Sequence, residues 1–194
     1  KFTPAVFIDF PLIDKQENGS QTKFSLRTFV KRSFRMPTFN DLYYTDLGSS
    51  NLKPESAVQY DFGTVFDKTN SKSFLHNLHF QADVYYNSIH DKIIAYPKGQ
   101  QFRWTMLNLG KVHITGMDMQ GAITMQPIRD FLVTGRLQYT YQKAIDVTNK
   151  SNSFYKHQIP YIPHHSGSAI VNLAYHNWTL NYSFIYSGER YNQQ

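Results

Sequence analysis

The feature that most constrains this chain is an alternation of apolar and polar residues that recurs in eight segments. Period two is the repeat of an extended strand, in which successive side chains point to opposite faces. In the fourth segment, Phe80 and Val84 fall on one face and Asp83 falls on the other. The pattern therefore predicts an all-β chain of antiparallel strands. The predicted strands cover about residues 2–10, 22–33, 56–67, 74–89, 111–126, 131–142, 167–175 and 178–189.

The connections between these segments alternate between short and long. The short ones are about residues 11–21, 68–73, 127–130 and 176–177; the long ones are about 34–55, 90–110 and 143–166, with another beginning near 190. Short turns at one rim and long loops at the other are typical of outer-membrane barrels. Soluble sandwiches also alternate, but their strands are usually shorter than the roughly ten residues seen in several segments here. We therefore predict an antiparallel transmembrane β-barrel.

Composition agrees with a barrel that crosses the membrane with strands. The chain has 15 Phe and 14 Tyr, and aromatic residues reach 16 % although the mean hydropathy is only -0.49. This combination suits strands in which every second residue meets lipid and aromatic girdles mark the interfaces. A net charge of +6 is scattered over the sequence, which favours solvated surfaces and a polar lumen over nucleic-acid binding. The absence of cysteine excludes disulfides and thiolate metal sites.

Both ends of the chain look like places inside a longer barrel. The first ten residues, KFTPAVFIDF, resemble a strand and not a signal peptide. The last residues, from Glu189 to Gln194, fall where a long loop is expected to begin. We therefore expect about eight consecutive strands of a larger barrel.

Several junctions between strands and loops resemble motifs of one receptor family. The run from Ser33 to Tyr43 resembles the FRxPxxxELY segment of TonB-dependent outer-membrane receptors. The resemblance continues in the family's order over roughly residues 24–191. The further runs are Gly48–Glu55 (similar to GNPxLKPE), Ser56–Gly63 (S.xYExG), Tyr85–Ile94 (YxNxIxDLI), Asn108–Gly110 with Gly116–Asp118 (NxG…GxE), Pro160–His165 (PYxPxH) and Tyr186–Tyr191 (YxGxRY).

The resemblance implies that residues 1–194 are a partial β-barrel domain from a barrel of about 22 strands. It implies an outer-membrane receptor of a Gram-negative bacterium that actively imports an iron–siderophore complex or a corrinoid such as vitamin B12. The implied partners are TonB, acting through a plug segment outside this chain, the small-molecule or metal-chelate ligand, outer-membrane lipid and a surface lipoprotein. Nucleic acid is not among them. Haem or carbohydrate import, and a passive structural or adhesive barrel, remain alternative hypotheses.

In such a receptor the long loops recognise the ligand, and the loops of this chain are rich in aromatic and polar groups. Side chains of these types can stack on a bulky ligand and form hydrogen bonds with it. For each candidate the alternative is simple packing at the rim, and for Arg35 it is a salt bridge with Asp41 or Glu55. Lys53 and Glu55 are interpreted as ions that anchor the loop. The candidate ligand-binding residues are Arg35, Tyr43, Tyr44, Asp46, Gln101, Trp104, Tyr155 and His157.

No catalytic residue, metal site or cofactor is predicted. Adjacent His164 and His165 would face opposite ways on a strand, and no HExxH pattern occurs. Residues 38–47, TFNDLYYTDL, contain no histidine, which argues against haem ligation by this loop. No nucleophile elbow accompanies the serine, histidine and aspartate residues, so the chain is not expected to be an enzyme. Asp118 is expected to pair with Arg136 on the next strand or with the plug.

Overall fold

The computed structural model describes residues 2–98, 103–153 and 155–191. Strands occupy most of this length, as the period-two alternation predicts. The elements are β1 (Ala5–Glu17), β2 (Ser20–Arg35), α1 (Phe39–Tyr43), β3 (Glu55–Asn70), β4 (Leu75–Lys98), β5 (Arg103–Ile128), β6 (Phe131–Asp146), β7 (His165–Tyr175) and β8 (Trp178–Ser187).

The eight strands form one sheet in the order β1-β2-β3-β4-β5-β6-β7-β8, and every neighbouring pair is antiparallel. This confirms the prediction of eight consecutive antiparallel strands. The described strands lie in a single sheet and not in the two packed sheets of a sandwich. Strands β1 and β8 each pair on one side, so the sheet is open, and closure into a barrel of about 22 strands stays a prediction.

The cross-strand register gives the sheet two chemically distinct faces. One row of neighbours contains Ile8, Phe62, Val84 and Met117, and we call its side the apolar face. The adjacent row contains arginine, aspartate and threonine side chains, and we call its side the polar face. The apolar face lies open: Ile8 is 56 %, Leu180 63 % and Phe184 51 % exposed. Large apolar side chains left uncovered along a whole sheet face are suited to contact with lipid.

The first connection is tighter than the sequence suggested. We predicted a turn over residues 11–21, but β1 continues to Glu17 and β2 begins at Ser20. The chain reverses at Asn18 and Gly19, whose φ angles of 49° and 85° suit a two-residue hairpin. A shift in register between Pro11 and Ile13 accommodates the proline, which cannot donate to the ladder. The proline therefore marks a bulge and not the end of the strand.

The prediction of a long loop over residues 90–110 was wrong. Strand β4 runs to Lys98 and β5 begins at Arg103, and Lys92 to Lys98 pair with Arg103 to Leu109 in continuous register. Alternation becomes irregular in this stretch because the hairpin extends beyond the regular apolar face. The candidate Gln101 lies outside the described residues.

The long connections predicted over residues 34–55 and 143–166 are confirmed, and they leave the same rim of the sheet. The β2–β3 connection spans residues 36–54, and the β6–β7 connection spans 147–164. We call their side the long-loop rim and the opposite side, with the turns near 18–19, 71–74, 129–130 and 176–177, the short-turn rim. No helix in the described ranges is long and apolar enough to cross a membrane.

A small hydrophobic core sits on the polar face near the long-loop rim. Ile159 from the β6–β7 connection is 1 % exposed and packs with Ile89, Val112, Ile114 and Ala144. Full burial of an isoleucine side chain contributes about 2 kcal/mol. Backbone hydrogen bonds extend the β6 edge, since Ile159 donates to the Ala144 carbonyl at 2.8 Å. The connection is therefore folded over the polar face of the sheet and is not a free loop.

Candidate functional site

The long-loop rim holds most of the candidate residues, and the short helix α1 organises its first part. Thr38 caps this helix: its hydroxyl accepts a hydrogen bond from the Asp41 N–H at 3.2 Å, and the Asp41 carboxylate accepts one from the Thr38 N–H at 2.9 Å. A reciprocal capping box of this kind contributes about 1 kcal/mol. The local sequence Thr38-Phe39-Asn40-Asp41 thus folds into one helical turn that holds the loop close to the end of β2.

Arg35 joins the two ends of the β2–β3 connection. Its guanidinium group lies 2.9 Å from the Asp41 carboxylate and 3.4 Å from the Glu55 carboxylate. These are the two salt bridges that the alternative interpretation of Arg35 predicted, so part of its charge is already neutralised in the fold. A direct contact between Arg35 and a ligand stays a prediction.

Glu55 connects this loop to the neighbouring hairpin. Its carboxylate is buried and accepts hydrogen bonds from the Ile93 N–H at 2.7 Å and from the Lys92 ammonium at 3.4 Å, in addition to the contact with Arg35. The prediction that Glu55 anchors the loop is confirmed. Lys53 contributes through its backbone: its N–H donates to the Asn108 side chain at 2.8 Å, and its carbonyl accepts from the same amide at 3.0 Å.

The β2–β3 connection also lies against the first residues of β5. The Met106 N–H donates to the Leu47 carbonyl at 2.9 Å, which places the segment after α1 beside this end of the strand. The Asn108 amide additionally donates to the Asp91 carbonyl at 2.7 Å, so one side chain bridges the loop and the extended hairpin. The sequence analysis did not single out Asn108 for this role, although it belongs to one of the family-like motifs.

Three candidates of the loop face outward into solvent. Tyr43 is 61 % and Tyr44 60 % exposed, and the ring of Tyr43 lies 5.1 Å from the ring of Phe39. Asp46 is exposed and adopts a φ of 65°, which is uncommon for a residue other than glycine. Together they present aromatic and acidic groups at the tip of a well-anchored loop.

The remaining described candidates belong to the other two connections. Trp104 on β5 is 36 % exposed, and its ring lies 5.1 Å from the ring of Tyr161 in the β6–β7 connection. Tyr155 is half-buried and lies under the Lys156 ammonium at 5.6 Å, whereas His157 is exposed and its carbonyl accepts from the Asp146 N–H at 3.1 Å. The structure therefore brings Trp104 against the β6–β7 connection, a contact that sequence spacing did not reveal.

A second polar cluster lies deeper on the polar face. The Arg27 guanidinium donates from Nε and Nη2 to the Asp83 carboxylate at 2.7 to 2.9 Å, across the intervening strand β3. The intervening residue is Gly63, and a Cβ atom there would overlap Asp83 Oδ1. The glycine is therefore required for this ion pair, and a glycine in an alternating strand was the available sequence signal for it.

The expected pairing of Asp118 with Arg136 was wrong. Asp118 instead accepts a hydrogen bond from the Thr140 hydroxyl at 2.6 Å, because Thr140 and not Arg136 is its register neighbour on β6. Asp118, Asp61 and Asp83 line one open cavity of about 450 Å³ with Arg27. In the described ranges, no three His, Cys, Asp or Glu side chains have the arrangement of a metal site.

The pH response of α1 follows from Asp41. Burial opposes ionisation of this carboxyl, but the Thr38 hydrogen bonds and the Arg35 charge outweigh burial and leave the pKa of Asp41 below its ordinary value of 3.8. A depressed pKa stabilises the fold above the unfolded-state pKa, and this contribution is lost as the pH falls through the folded-state pKa. We therefore expect hydrogen exchange of the α1 amides, corrected for intrinsic rates, to accelerate only below a pH of about 3.8.

The Asp41→Asn variant is the matched control for this measurement. It should show faster exchange of the α1 amides at neutral pH and no additional acceleration in the acid window. If protection in the unaltered protein already declines between about pH 7 and pH 5, a group other than Asp41 controls the helix.

Comparisons with known proteins agree with this geometry. A family model described as "TonB dependent receptor-like, beta-barrel" matches residues 1–194. The chain belongs to the TonB-dependent receptor-like β-barrel family. This family is one of receptors and not of enzymes, in agreement with the prediction that the chain is not an enzyme.

Two curated relatives carry the same name. A protein of Photobacterium profundum named vitamin B12 transporter BtuB is 29% identical over 167 residues, which cover 81% of this chain and 24% of the relative. A protein of Vibrio vulnificus with the same name is 33% identical over 87 residues, which cover 45% of this chain and 13% of the relative. The chain thus spans about a quarter or less of the curated relatives that it matches.

Proposed function

We propose that this chain forms part of the wall of an outer-membrane receptor that actively imports a scarce, bulky ligand, with a corrinoid as the first candidate. The observation that supports it most is the match of the whole chain to the TonB-dependent receptor-like barrel family, together with a sheet that is apolar on one face and polar on the other. Its site is the long-loop rim, where the exposed aromatic candidates lie.

The two faces of the sheet fit a wall between lipid and a water-filled lumen. In hydrocarbon every backbone polar group needs an internal partner, and only helices and closed barrels provide this for a spanning segment. The continuous ladders from β1 to β8 satisfy that requirement inside the sheet. Placement in the outer membrane of a Gram-negative bacterium is part of the proposal.

The chain's own residues perform no covalent chemistry in this function. The polar face offers the Arg27–Asp83 cluster to a plug inside the barrel, and the rim offers stacking and hydrogen-bonding groups to the ligand. TonB, acting on the plug, would supply the mechanical work for import. The plug and TonB are proposed as partners on the basis of the family alone.

The choice of a corrinoid is supported by the relatives named vitamin B12 transporters. A corrinoid is a large, flat-faced ligand with many amide groups, and exposed tyrosines such as Tyr43 and Tyr44 can provide both stacking surfaces and hydrogen bonds. An iron–siderophore complex is the second candidate from the sequence. The proposal is tested against three alternatives: import of haem, import of a carbohydrate, and a passive or adhesive barrel.

The proposal is tested by growth of a deletion strain that lacks the full-length receptor. A strain dependent on external corrinoid should lose growth on low concentrations of vitamin B12 and regain it when the receptor is restored. Parallel cultures on single siderophores, haem and oligosaccharides identify any other ligand. Unchanged uptake of every one would reject an import function and favour a passive barrel.

The rim tyrosines should contribute directly to ligand affinity. In the full-length receptor, the Tyr43→Ala/Tyr44→Ala variant is expected to bind cyanocobalamin about 30-fold more weakly, because two exposed aromatic contacts of about 1 kcal/mol each are lost. Equilibrium binding in detergent measures this change.

The matched control is Phe74→Ala, which removes an aromatic ring that is 63% exposed but lies at the short-turn rim. This variant should bind cyanocobalamin with unchanged affinity. An equal loss of affinity in both variants would place the effect on the stability of the barrel and would contradict a ligand site at the long-loop rim.

A further inference from the structure

A band of basic side chains crosses the apolar face at the long-loop rim. Register places Arg32 level with His113, and Lys111 pairs directly with His90. Lys143 follows on β6 opposite Thr115, on the same face. These five residues define the basic band. The strand pattern, which puts mainly apolar side chains on this face, does not itself explain these cations.

Four members of the basic band lie beyond a row of tyrosines toward the long-loop rim, whereas Lys143 lies in that row, because Thr115 pairs with both Tyr86 and Lys143. Tyr60 and Tyr86 are cross-strand neighbours with ring centroids 6.2 Å apart, and the Tyr86 ring contacts His113 at 5.4 Å. On β6, Lys143 follows Tyr141 by one repeat of the strand. Aromatic girdles mark the boundary between hydrocarbon and headgroups in barrels. The basic band is therefore at the level of lipid headgroups.

The charges of the band are not neutralised by the fold. In the described part of the chain, no carboxylate lies within ion-pair distance of Arg32, Lys111 or Lys143, and the side chains of Arg32 and Lys143 are exposed. Asp91 lines the same cleft of about 320 Å³ as Arg32 without reaching ion-pair distance. Three permanent cations against one carboxylate leave the band positively charged.

Apart from Asp91, the acidic side chains of the same strands point the other way. Register puts them on the polar face, where Arg27 and Arg35 neutralise part of their charge. The carboxylates that the register places on the polar face are Glu55, Asp61, Asp67, Asp83, Asp118 and Asp146.

We propose that the basic band binds the phosphate groups of a phosphorylated glycolipid in the outer leaflet, with Arg32, Lys111 and Lys143 supplying charge and the exposed His90 supplying hydrogen bonds. Its acyl chains would lie on the apolar face below the tyrosines. Charge complementarity selects an anionic headgroup, and the continuous apolar surface selects a lipid over free phosphate. The inference rests on the outer-membrane placement proposed above.

The test uses the full-length receptor purified in detergent. Native mass spectrometry measures the affinity for bisphosphorylated lipid A, for dephosphorylated lipid A and for inorganic phosphate. The unaltered receptor should prefer the bisphosphorylated lipid. The Arg32→Gln/Lys111→Gln/Lys143→Gln variant should bind that lipid on the order of 100-fold more weakly, from about fivefold per basic residue near an anionic surface.

Two matched variants separate the band from general charge and from misfolding. Lys15→Gln/Lys68→Gln/Lys72→Gln removes three cations at the short-turn rim and should bind lipid A normally. Arg32→Lys/Lys111→Arg/Lys143→Arg keeps the charge of the band and should retain most of the affinity. Three results would each overturn the proposal. The first is an equal loss of lipid A affinity in the short-turn variant, and the second is normal lipid A binding by the glutamine variant of the band. The third is competition by inorganic phosphate at the same concentration as the lipid.

Cyanocobalamin binding measured on the same samples separates this inference from the proposed function. A receptor that binds lipid A but neither corrinoid nor siderophore rejects the transport proposal alone. A receptor that binds corrinoid and shows no preference for phosphorylated lipid rejects the basic band alone.

Discussion

Replacing Gly116 by alanine is expected to destabilise the barrel by about 3 kcal/mol, at the upper end of the cost of overpacking. A Cβ atom at this position would overlap the end of the Tyr85 side chain and would lie 2.6 Å from the backbone carbonyl oxygen of Tyr141. The tyrosine can move aside, but the carbonyl belongs to the neighbouring strand β6. Relief of the clash therefore requires separation of β5 from β6. Urea unfolding of the full-length receptor in lipid vesicles measures the free energy.

The same strand provides a control five residues further along. A Cβ atom at Gly121 would meet only the His79 carbonyl oxygen, at 3.9 Å, which is ordinary van der Waals contact. Gly121→Ala should therefore leave the unfolding free energy within about 0.5 kcal/mol of the unaltered value. Similar losses in the two variants would show that β5 requires glycine for its backbone conformation and not for the close approach at Gly116.

Replacing Arg27 by methionine is expected to cost about 3 kcal/mol. The Asp83 side chain is only 8% exposed, and among the described residues the variant would leave it with the Gln81 amide, 2.7 Å away, as its side-chain donor. A buried charge without its partner is strongly destabilising, commonly by about 3 to 5 kcal/mol. The lower value applies because the Arg27 side chain is 38% exposed and partly screened by solvent.

A second substitution identifies the source of this loss. In Arg27→Met/Asp83→Asn the unpaired charge is removed, so the double variant should recover about half of the lost stability in the same urea titration. If the double variant is as unstable as the single one, packing of the arginine stem and not the orphaned carboxylate accounts for the effect. Arg27→Lys should fall between, since it keeps the charge and loses the two-pronged contact.

The strands could be predicted from the sequence because a pleated strand directs successive side chains to opposite faces, which produces alternating apolar and polar residues. Apolar side chains at every second position, as at Phe80 and Val84, require an extended backbone with two unlike faces. The positions at which the strands end were harder to predict from the sequence. The first strand was predicted to end near residue 10, but it continues through Pro11, where a shift in register accommodates the proline. Residues 92–98 lost their regular alternation because that part of the hairpin no longer faces uniform surroundings.

The candidate site was predictable only where its parts are close in sequence or have opposite charge. Arg35, Asp41 and Glu55 flank one connection, and their charges indicated the salt bridges that the structure contains. The contact of Trp104 with Tyr161 joins two different connections, and no local pattern encodes it. The assignment of these residues to ligand binding stays a prediction.

The sequence alone determined the strand pattern, the antiparallel neighbour order and the separation of an apolar from a polar face, because a two-residue period and short turns are local properties. Only the tertiary structure decided the lateral contacts. Register set Asp118 beside Thr140 instead of Arg136, placed Asp83 within reach of Arg27 across Gly63, and collected Arg32, Lys111 and Lys143 into one band. The physical reason is that a bulge or a turn of different length shifts every cross-strand neighbour at once.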